Sequence, residues 1–442
     1  MSPLRVAVVG SGPAGFYAAG ALLGADGPVE VDMLERLPTP WGLVRLGVAP
    51  DHPKIKSVSR AFERIAAQPG FRFLGNVEVG RDLSHEELLE HYDAVVYAVG
   101  AQSDRRMGIP GEDLPGSWAA TELVAWYNGH PDFQHLEFDL SGPRAVVIGN
   151  GNVAVDVARM LALTAEELNP TDTTDAAIET ILGSGIEEIV MIGRRGPAQA
   201  AFTTPELQEL GELAGADVVV DPADLEGAEP LDTNAQRNLE VLREFAAREP
   251  AGKPKRLVLR FFHSPVALRG EGRVESVELV RNTLDADLRA VPTGEHETLP
   301  ATVVFRSVGY RGVELPGLPF DERTGTVPND RGRVSPGVYV AGWIKRGPSG
   351  VIGTNKKDAT ETVELLLEDL RDAPHKDRPA DELEALLAER GVRLVLYAGW
   401  TSIDELERAA GEKHGRPRVK LCTWDELLEA AETVAAAVDS EA

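Results

Sequence analysis

The residues best suited to chemistry are two short glycine strings, each ending an apolar, β-branched run. In the first, Leu4 to Val9 leads into Gly10-Ser11-Gly12-Pro13-Ala14-Gly15, and an alanine-rich stretch continues to Leu23. Strand, tight turn and helix in that order cradle a dinucleotide: Gly10 permits the turn, Gly12 admits a pyrophosphate to the backbone, and Gly15 lets helix pack on strand. The helix start then offers free N–H groups to the phosphates. The next apolar run, Val29 to Leu34, closes on Glu35, where a carboxylate accepts hydrogen bonds from ribose hydroxyls and repels a 2′-phosphate. This turn suits FAD or NAD and disfavours NADP.

The pattern returns at Arg144 to Ile148, followed by Gly149-Asn150-Gly151-Asn152-Val153-Ala154. Alanine replaces the third glycine, as the dinucleotide pattern allows. The strand Glu188 to Ile192 then ends in Gly193-Arg194-Arg195-Gly196, so two guanidinium groups stand where the first turn has its acid. Paired arginines there suit a 2′-phosphate, the plainer alternative being that they solvate a loop. About forty residues separate Ala154 from Arg194 where roughly twenty are usual, and the polar stretch Asn169 to Asp175 is expected to belong to a helical excursion that takes up the excess. Two cradles with opposite second-strand ends imply one site for a flavin and one for NADPH.

The elements that must position these turns are those of an ordinary globular chain. Its 442 residues suffice for two or three domains with their own cores. A net charge of −26, from 45 basic against 71 acidic residues, repels phosphate backbones and acidic membranes, so nucleic acid is not an expected partner. No apolar run reaches the 18 or so residues of a membrane span, and the first strand begins near Leu4, which reads as cytoplasmic. The single cysteine, Cys422, can form neither a redox-active Cys-x-x-Cys pair nor the thiolate set usual for an iron–sulfur cluster. Any one-electron centre must therefore arrive on another protein, and no metal site is expected.

Four longer strings carry a resemblance: Pro38-Thr39-Pro40-Trp41-Gly42-Leu43-Val44-Arg45, Ala49-Pro50-Asp51-His52-Pro53-Lys54, Ala201-Phe202-Thr203-Thr204-Pro205-Glu206, and Gly342-Trp343-Ile344-Lys345-Arg346-Gly347-Pro348 running into Gly350-Val351-Ile352-Gly353-Thr354-Asn355-Lys356-Lys357. On these the chain resembles the adrenodoxin reductase family over nearly its whole length, in particular the branch of bacterial ferredoxin–NADP reductases. The resemblance implies FAD contacts at Ala14, Glu35, Leu43, Val77, Trp343 and the backbone of Gly350, Val351 and Ile352. It implies NADP contacts at Arg105, Asn150, Gly151, Asn152, Val153, Arg194, Arg195, Glu206 and Gly350. The glycines between 347 and 353 open an expected helix from Thr354 to Leu367, whose start would aim N–H groups at the flavin ring or pyrophosphate.

His52 lies in a proline-flanked loop expected to hold it extended and exposed. The family sets this histidine beside the redox centre, where an imidazole tunes electrostatics or relays a proton; simple solvation is the alternative. For Glu206, at an expected helix start, the family reading is a role near the nicotinamide, and the alternative is N-cap chemistry.

Val95 to Ala101 and Val303 to Tyr310 read as buried strands ending at glycine, and they resemble crossover segments around a nested domain. The fold expected is α/β, with two Rossmann-like dinucleotide-binding domains and a C-terminal α/β extension. The NADP domain, 106–330, is inserted in an FAD domain formed by 1–105 and 331–372. Beyond about Asp372, Asp381 to Glu389 carries a helix signal and Val392 to Tyr397 a strand signal, in an extension, 373–442, packed on the FAD domain.

The activity implied is ferredoxin–NADP reduction, with NADPH giving two electrons to FAD and a ferredoxin-type iron–sulfur protein taking them singly, a cytochrome P450 being one onward acceptor. The family suggests a monomer. Ferredoxins are usually acidic, so Arg45, Lys54, Lys56, Arg60, Arg64, Lys345, Arg346, Lys356 and Lys357 are expected to form a basic docking rim. The competing readings are a flavin monooxygenase, whose Phe-x-Gly-x-x-x-His string is not found, and a non-catalytic NADP-sensing flavoprotein.

Overall fold

The computed structural model describes residues 2–376, 379 and 381–441, with side chains up to Thr433. Its first sheet has the strand order Arg333–Ser335, Val338–Val340, Ala94–Tyr97, Leu4–Val9, Val29–Glu35, Phe71–Gly75. All neighbours are parallel except the first pair. Leu4–Val9 is buried along its length, as a strand covered on both faces must be. Helices Pro13–Leu23 and Ile352–Leu370 share the core on one face through Leu22, Ala359, Val363 and Leu366.

The second sheet is parallel throughout, in the order Ser117–Ala119, Val303–Arg306, Arg144–Ile148, Glu188–Ile192, Lys255–Arg260, Ala216–Val220. All of it lies in sequence between Ala94–Tyr97 and Val338–Val340, which are adjacent strands of the first sheet. The chain passes out and back through two short antiparallel strands, Ser103–Asp104 and Tyr310–Arg311, so two connections held side by side join the modules. An antiparallel sheet, His263–Arg269, Ser276–Leu284 and Ala290–Pro300, completes the inserted module.

Three details differ from expectation. Leu315, Leu318 and Val327 pack in the core of the first sheet, so the return to that module begins soon after the paired connection rather than at 331. The excursion before Arg194 is helical at Ala165–Leu168 and Asp175–Leu182, but 169–174 is the turn between them, with Thr171, Asp172, Thr173 and Thr174 buried. The strand signal at Val392 to Tyr397 yields one bridge, Val395 to Gly75, before helix Tyr397–Lys413 begins.

The extension covers more than the first module. Leu383 and Leu387 of helix Asp381–Glu389, and Trp400 and Ile403 of Tyr397–Lys413, enter its cores. Arg416 donates to the carbonyl of Thr171 (3.0 Å), Lys420 to Asn128 (3.2 Å) and Trp424 Nε1 to Asp132 (2.8 Å), all on the inserted module.

Candidate functional site

The two glycine turns have the same backbone logic. Gly10 has φ +101°, and a Cβ there would lie 2.7 Å from the Ala98 carbonyl oxygen; Gly149 has φ +140°, with the Ser307 oxygen 2.2 Å away. Both positions admit only glycine without a backbone shift. Gly12 and Gly151, the N-caps of helices Pro13–Leu23 and Asn152–Ala162, have no atom within 4 Å of such a Cβ. Each cradle is open on the side where a pyrophosphate must approach the helix start.

In the first turn Glu35 accepts hydrogen bonds from the Ser11 amide (3.0 Å), the Ser11 hydroxyl (2.6 Å) and the Leu37 amide (3.1 Å). The carboxylate is fixed at the strand end as an acceptor. The loop 38–42 folds over the turn: Trp41 donates its amide to the Ser11 carbonyl (3.0 Å), and Gly42 would bring a Cβ to 3.0 Å from Gly12 Cα. Leu43 follows, exposed at the rim, and Val77 is buried with its amide on the Glu35 carbonyl (2.9 Å). Gly342 has φ +78°, with a virtual Cβ 2.6 Å from that of Ala14, which brings Trp343 up to the same turn.

Trp343 packs on Tyr310 with ring centres 5.2 Å apart and planes tilted by 48°, and its indole N–H is buried with no partner among the described residues; so is that of Trp41. Helix Ile352–Leu370 begins two residues earlier and extends three residues further than expected, with Val351 at its cap 62% exposed. An open glycine cradle, a fixed ribose acceptor, orphaned indole donors and a 19-residue helix with an exposed start fit FAD: Glu35 would hold the ribose, and Gly350, Val351 and Ile352 would face the flavin with backbone groups.

In the second turn the Asn150 amide lies over Gly193, where a Cβ would sit 1.7 Å from its nitrogen. Asn152 accepts from the Thr203 amide (2.8 Å), tying the phosphate turn to the helix that carries Glu206. Val153 is half-buried against the module core. Arg194 and Arg195 are both exposed, and neither has an acidic partner among the described residues. Two guanidinium groups with no acid beside them at the strand end, Arg195 donating only to the Gln199 carbonyl (3.4 Å), fit the 2′-phosphate of NADP. Arg105 sits at the paired connection, its amide on the Gly309 carbonyl (2.9 Å).

His52 corrects the expectation of exposure: it is 8% exposed, and Nε2 lies 2.7 Å from Glu209 Oε2. Pro53 starts a short helix, Pro53–Lys56, that turns the loop inward, and Arg159 grips Asp51 from the other module (2.8 and 3.0 Å). Glu206 does not cap its helix; its carboxylate lies 3.4 Å from Arg159 and 4.0 Å from His52. Asp156 completes the cluster, 2.9 Å from Arg159. Burial pushes its carboxyl up to about 7, against the pull of Arg159, and burial also raises Glu206. His52, Glu206 and Glu209 bring ligand atoms within 4.8 Å of one another, but Arg159 already supplies a cation to both carboxylates. Sequence reasoning missed Asp156, Arg159 and Glu209. The available signal was an acid and a base, three residues apart, inside the apolar run that follows the second turn.

The expected basic rim is half neutralised. Arg45 is buried against Glu407 (2.5 Å), Lys56 pairs with Asp172 (2.6 Å), Lys345 pairs with Asp358 (3.1 Å) and Glu361 (2.9 Å), and Arg346 donates to Asn355 (2.7 Å). The acids, Glu407, Asp172, Asp358 and Glu361, lie outside the two chain segments that supply the basic residues. Lys54, Arg60, Arg64, Lys356 and Lys357 remain exposed.

Two dinucleotide cradles on nested parallel sheets define a flavin- and pyridine-nucleotide-dependent oxidoreductase, and a family model described as pyridine nucleotide-disulphide oxidoreductase matches residues 4–191. Cys422 cannot serve the disulphide half of that description: it is alone, and burial pushes its thiol up to about 12. The chain is 56% identical to the NADPH-ferredoxin reductase FprA of Mycobacterium tuberculosis, over 97% of this chain and 99% of that one. It is 42% identical to the mitochondrial NADPH:adrenodoxin oxidoreductase of Arabidopsis thaliana, over 97% and 95%. The solved structure of M. tuberculosis FprA in complex with NADPH superposes with a TM-score of 0.95 at 55% identity, covering 97% of this chain and 100% of that one. The chain belongs to the ferredoxin–NADP reductases of the adrenodoxin reductase family.

Proposed function

We propose that this chain passes electrons from NADPH, through FAD on the first turn, to a ferredoxin-type iron–sulfur protein. The observation that carries the reading is the pairing of a fixed carboxylate at one strand end with two exposed guanidinium groups that no acid neutralises at the other. Bound flavin accepts electrons in pairs and releases them singly, a division that no side chain can make. The protein's own groups supply position and protons. Gly10, Gly12, Pro13, Ala14 and Gly15 with Glu35 hold one nucleotide. Gly149, Asn150, Gly151, Asn152 and Val153 with Arg194 and Arg195 hold the other, with further contacts from Arg105 at the paired connection and Gly350 before the long helix.

His52 and Glu206 act where the modules meet. A buried imidazole on a carboxylate, next to two acids whose proton affinity burial raises, supports a proton-holding role beside the coenzyme. Both turns and their junction lie on one chain, so the reading needs no second copy. No helix among the described residues is long and apolar enough to cross a membrane, which agrees with work in the cytoplasm.

The docking face reduces to Lys54, Arg60, Arg64, Lys356 and Lys357. Long-range attraction from such groups acts mainly on association rate and is screened by salt. The test is NADPH-driven reduction of cytochrome c with and without ferredoxin, beside NADH, for the parent and K356E/K357E. The parent should require ferredoxin and prefer NADPH. The variant should show a KM for ferredoxin raised roughly tenfold with ferricyanide reduction unchanged; equal loss on both acceptors would remove these lysines from the docking face.

A further inference from the structure

The junction cluster holds one cation that the reading above does not use. Arg159 is 3% exposed, and every edge of its guanidinium is engaged. Nε and Nη2 grip Asp51 (2.8 and 3.0 Å), Nη2 also meets Asp156 (2.9 Å), and Nη1 meets Glu209 (2.8 Å) and Glu206 (3.4 Å). Four carboxylates from three elements converge on it, with His52 against Glu209 (2.7 Å) and the buried Tyr127 and Tyr310 phenols near enough to feel the charge of Asp156. Asp51 adjoins His52 in the flavin module. Asp156, Glu206 and Glu209 belong to the coenzyme module. Arg159 is therefore the group through which the His52 loop is tied to the two glutamates it must meet.

A planar fork with five donors can serve all these acceptors at fixed angles, which an ammonium cannot. We propose that Arg159 is a positioning residue for electron transfer from NADPH, holding His52 and Glu206 in register across the two modules through its bidentate grip on Asp51. Its charge has a second effect. It opposes the burial that raises Asp156 and Glu206, so its loss leaves four acids facing one imidazole and pushes the proton affinities of those two further up. A mere structural clamp would not move a pH profile.

This inference rests on the reductase reading. The two fail separately: reduction of the parent by NADPH tests the reading, and only the ratio of variant to parent tests Arg159. The experiment takes flavin-loaded parent, R159Q, R159K and D51N through anaerobic stopped-flow reduction by NADPH between about pH 5.5 and 9, with NADP⁺ affinity from flavin difference spectra and Tm measured alongside. R159Q should reduce at least about tenfold more slowly, with its pH inflection raised by about one unit and NADP⁺ affinity within about threefold of parent. R159K, which keeps the charge and loses the fork, should restore the inflection but only part of the rate. D51N should slow reduction with a smaller shift. A parental inflection in R159Q, or R159K matching it in both rate and inflection, would overturn the proposal. Should R159Q fail to fold, R159K or D51N at the full parental rate would overturn it equally.

Discussion

The two glycine turns open onto helices of equal length, Pro13–Leu23 and Asn152–Ala162, each capped by a glycine. Counted from those caps, Tyr17 of the first helix corresponds to Asp156 of the second, and Gly20 to Arg159. The first helix carries no charge: Gly20 lets Ile65 approach to 2.9 Å of a virtual Cβ, and the helix is a packing element. At the same two positions the second helix carries an acid and a base, which it turns to the facing module. Shared backbone geometry thus serves opposite ends. One turn is built into a core to keep its nucleotide, and the other is left exposed at Arg194 and Arg195, where a coenzyme must come and go.

The comparison breaks most severely at the third position of each turn. A Cβ on Gly15 would lie 1.9 Å from the Gly10 carbonyl oxygen, a backbone atom that cannot move without reshaping the turn. Ala154, at the same place in the second turn, already holds a Cβ and is fully buried. G15A should yield colourless or insoluble protein. A154G should keep its flavin and lose about 1 kcal/mol by helix propensity, read as a small fall in Tm. Equal flavin content in the two variants would show that the turns are not distinguished by helix-on-strand packing.

The next effect sharpens the electrostatic half. Each charge-assisted contact to a phosphate contributes about 1.5–3 kcal/mol, so R194A/R195A should raise the KM for NADPH at least about 100-fold and leave that for NADH within a factor of about two. Steady-state ferricyanide reduction with both coenzymes measures it. Parallel losses for NADH would mean that the arginines hold the loop rather than the 2′-phosphate.

Much of this was legible because turns are local. Gly10 to Gly15, Glu35, Gly149 to Ala154 and the arginine pair each declare themselves within a few residues, and the nested order follows from strands that end in glycine at both crossings. The junction was not legible. Asp51, Asp156, Arg159 and Glu209 come from three segments, and only the packing of one module on the other brings them together. The same physics misled the docking rim. Lys345 and Arg346 look unopposed between Trp343 and Lys357, but the next turns of the following helix carry Asp358 and Glu361 back to them. Arg45 meets Glu407, 362 residues away. Charge counted in a window describes a surface only if the chain stays on the surface.

The last contrast lies where the helices differ most, at Asp156, and its sign follows from the shift. The carboxyl rises from 3.8 to about 7 on folding. Below pH 3.8 it is protonated in folded and unfolded chains alike and contributes no slope. Between 3.8 and about 7 the folded chain keeps a proton that the unfolded chain has released, so stability falls as pH rises through this window. Above it the penalty stays constant, at most about 4 kcal/mol at 1.36 kcal/mol per unit. D156N cannot ionise and forfeits one hydrogen bond strength to Arg159, a loss of about 1 kcal/mol that does not depend on pH. The Tm difference between D156N and parent should therefore be slightly negative near pH 4 and turn positive by a few degrees near pH 8, while Y17F in the first helix gives a difference that does not change sign. A D156N curve parallel to that of the parent would mean that Asp156 stays ionised throughout, and that the second helix, like the first, adds nothing to the proton balance of the junction.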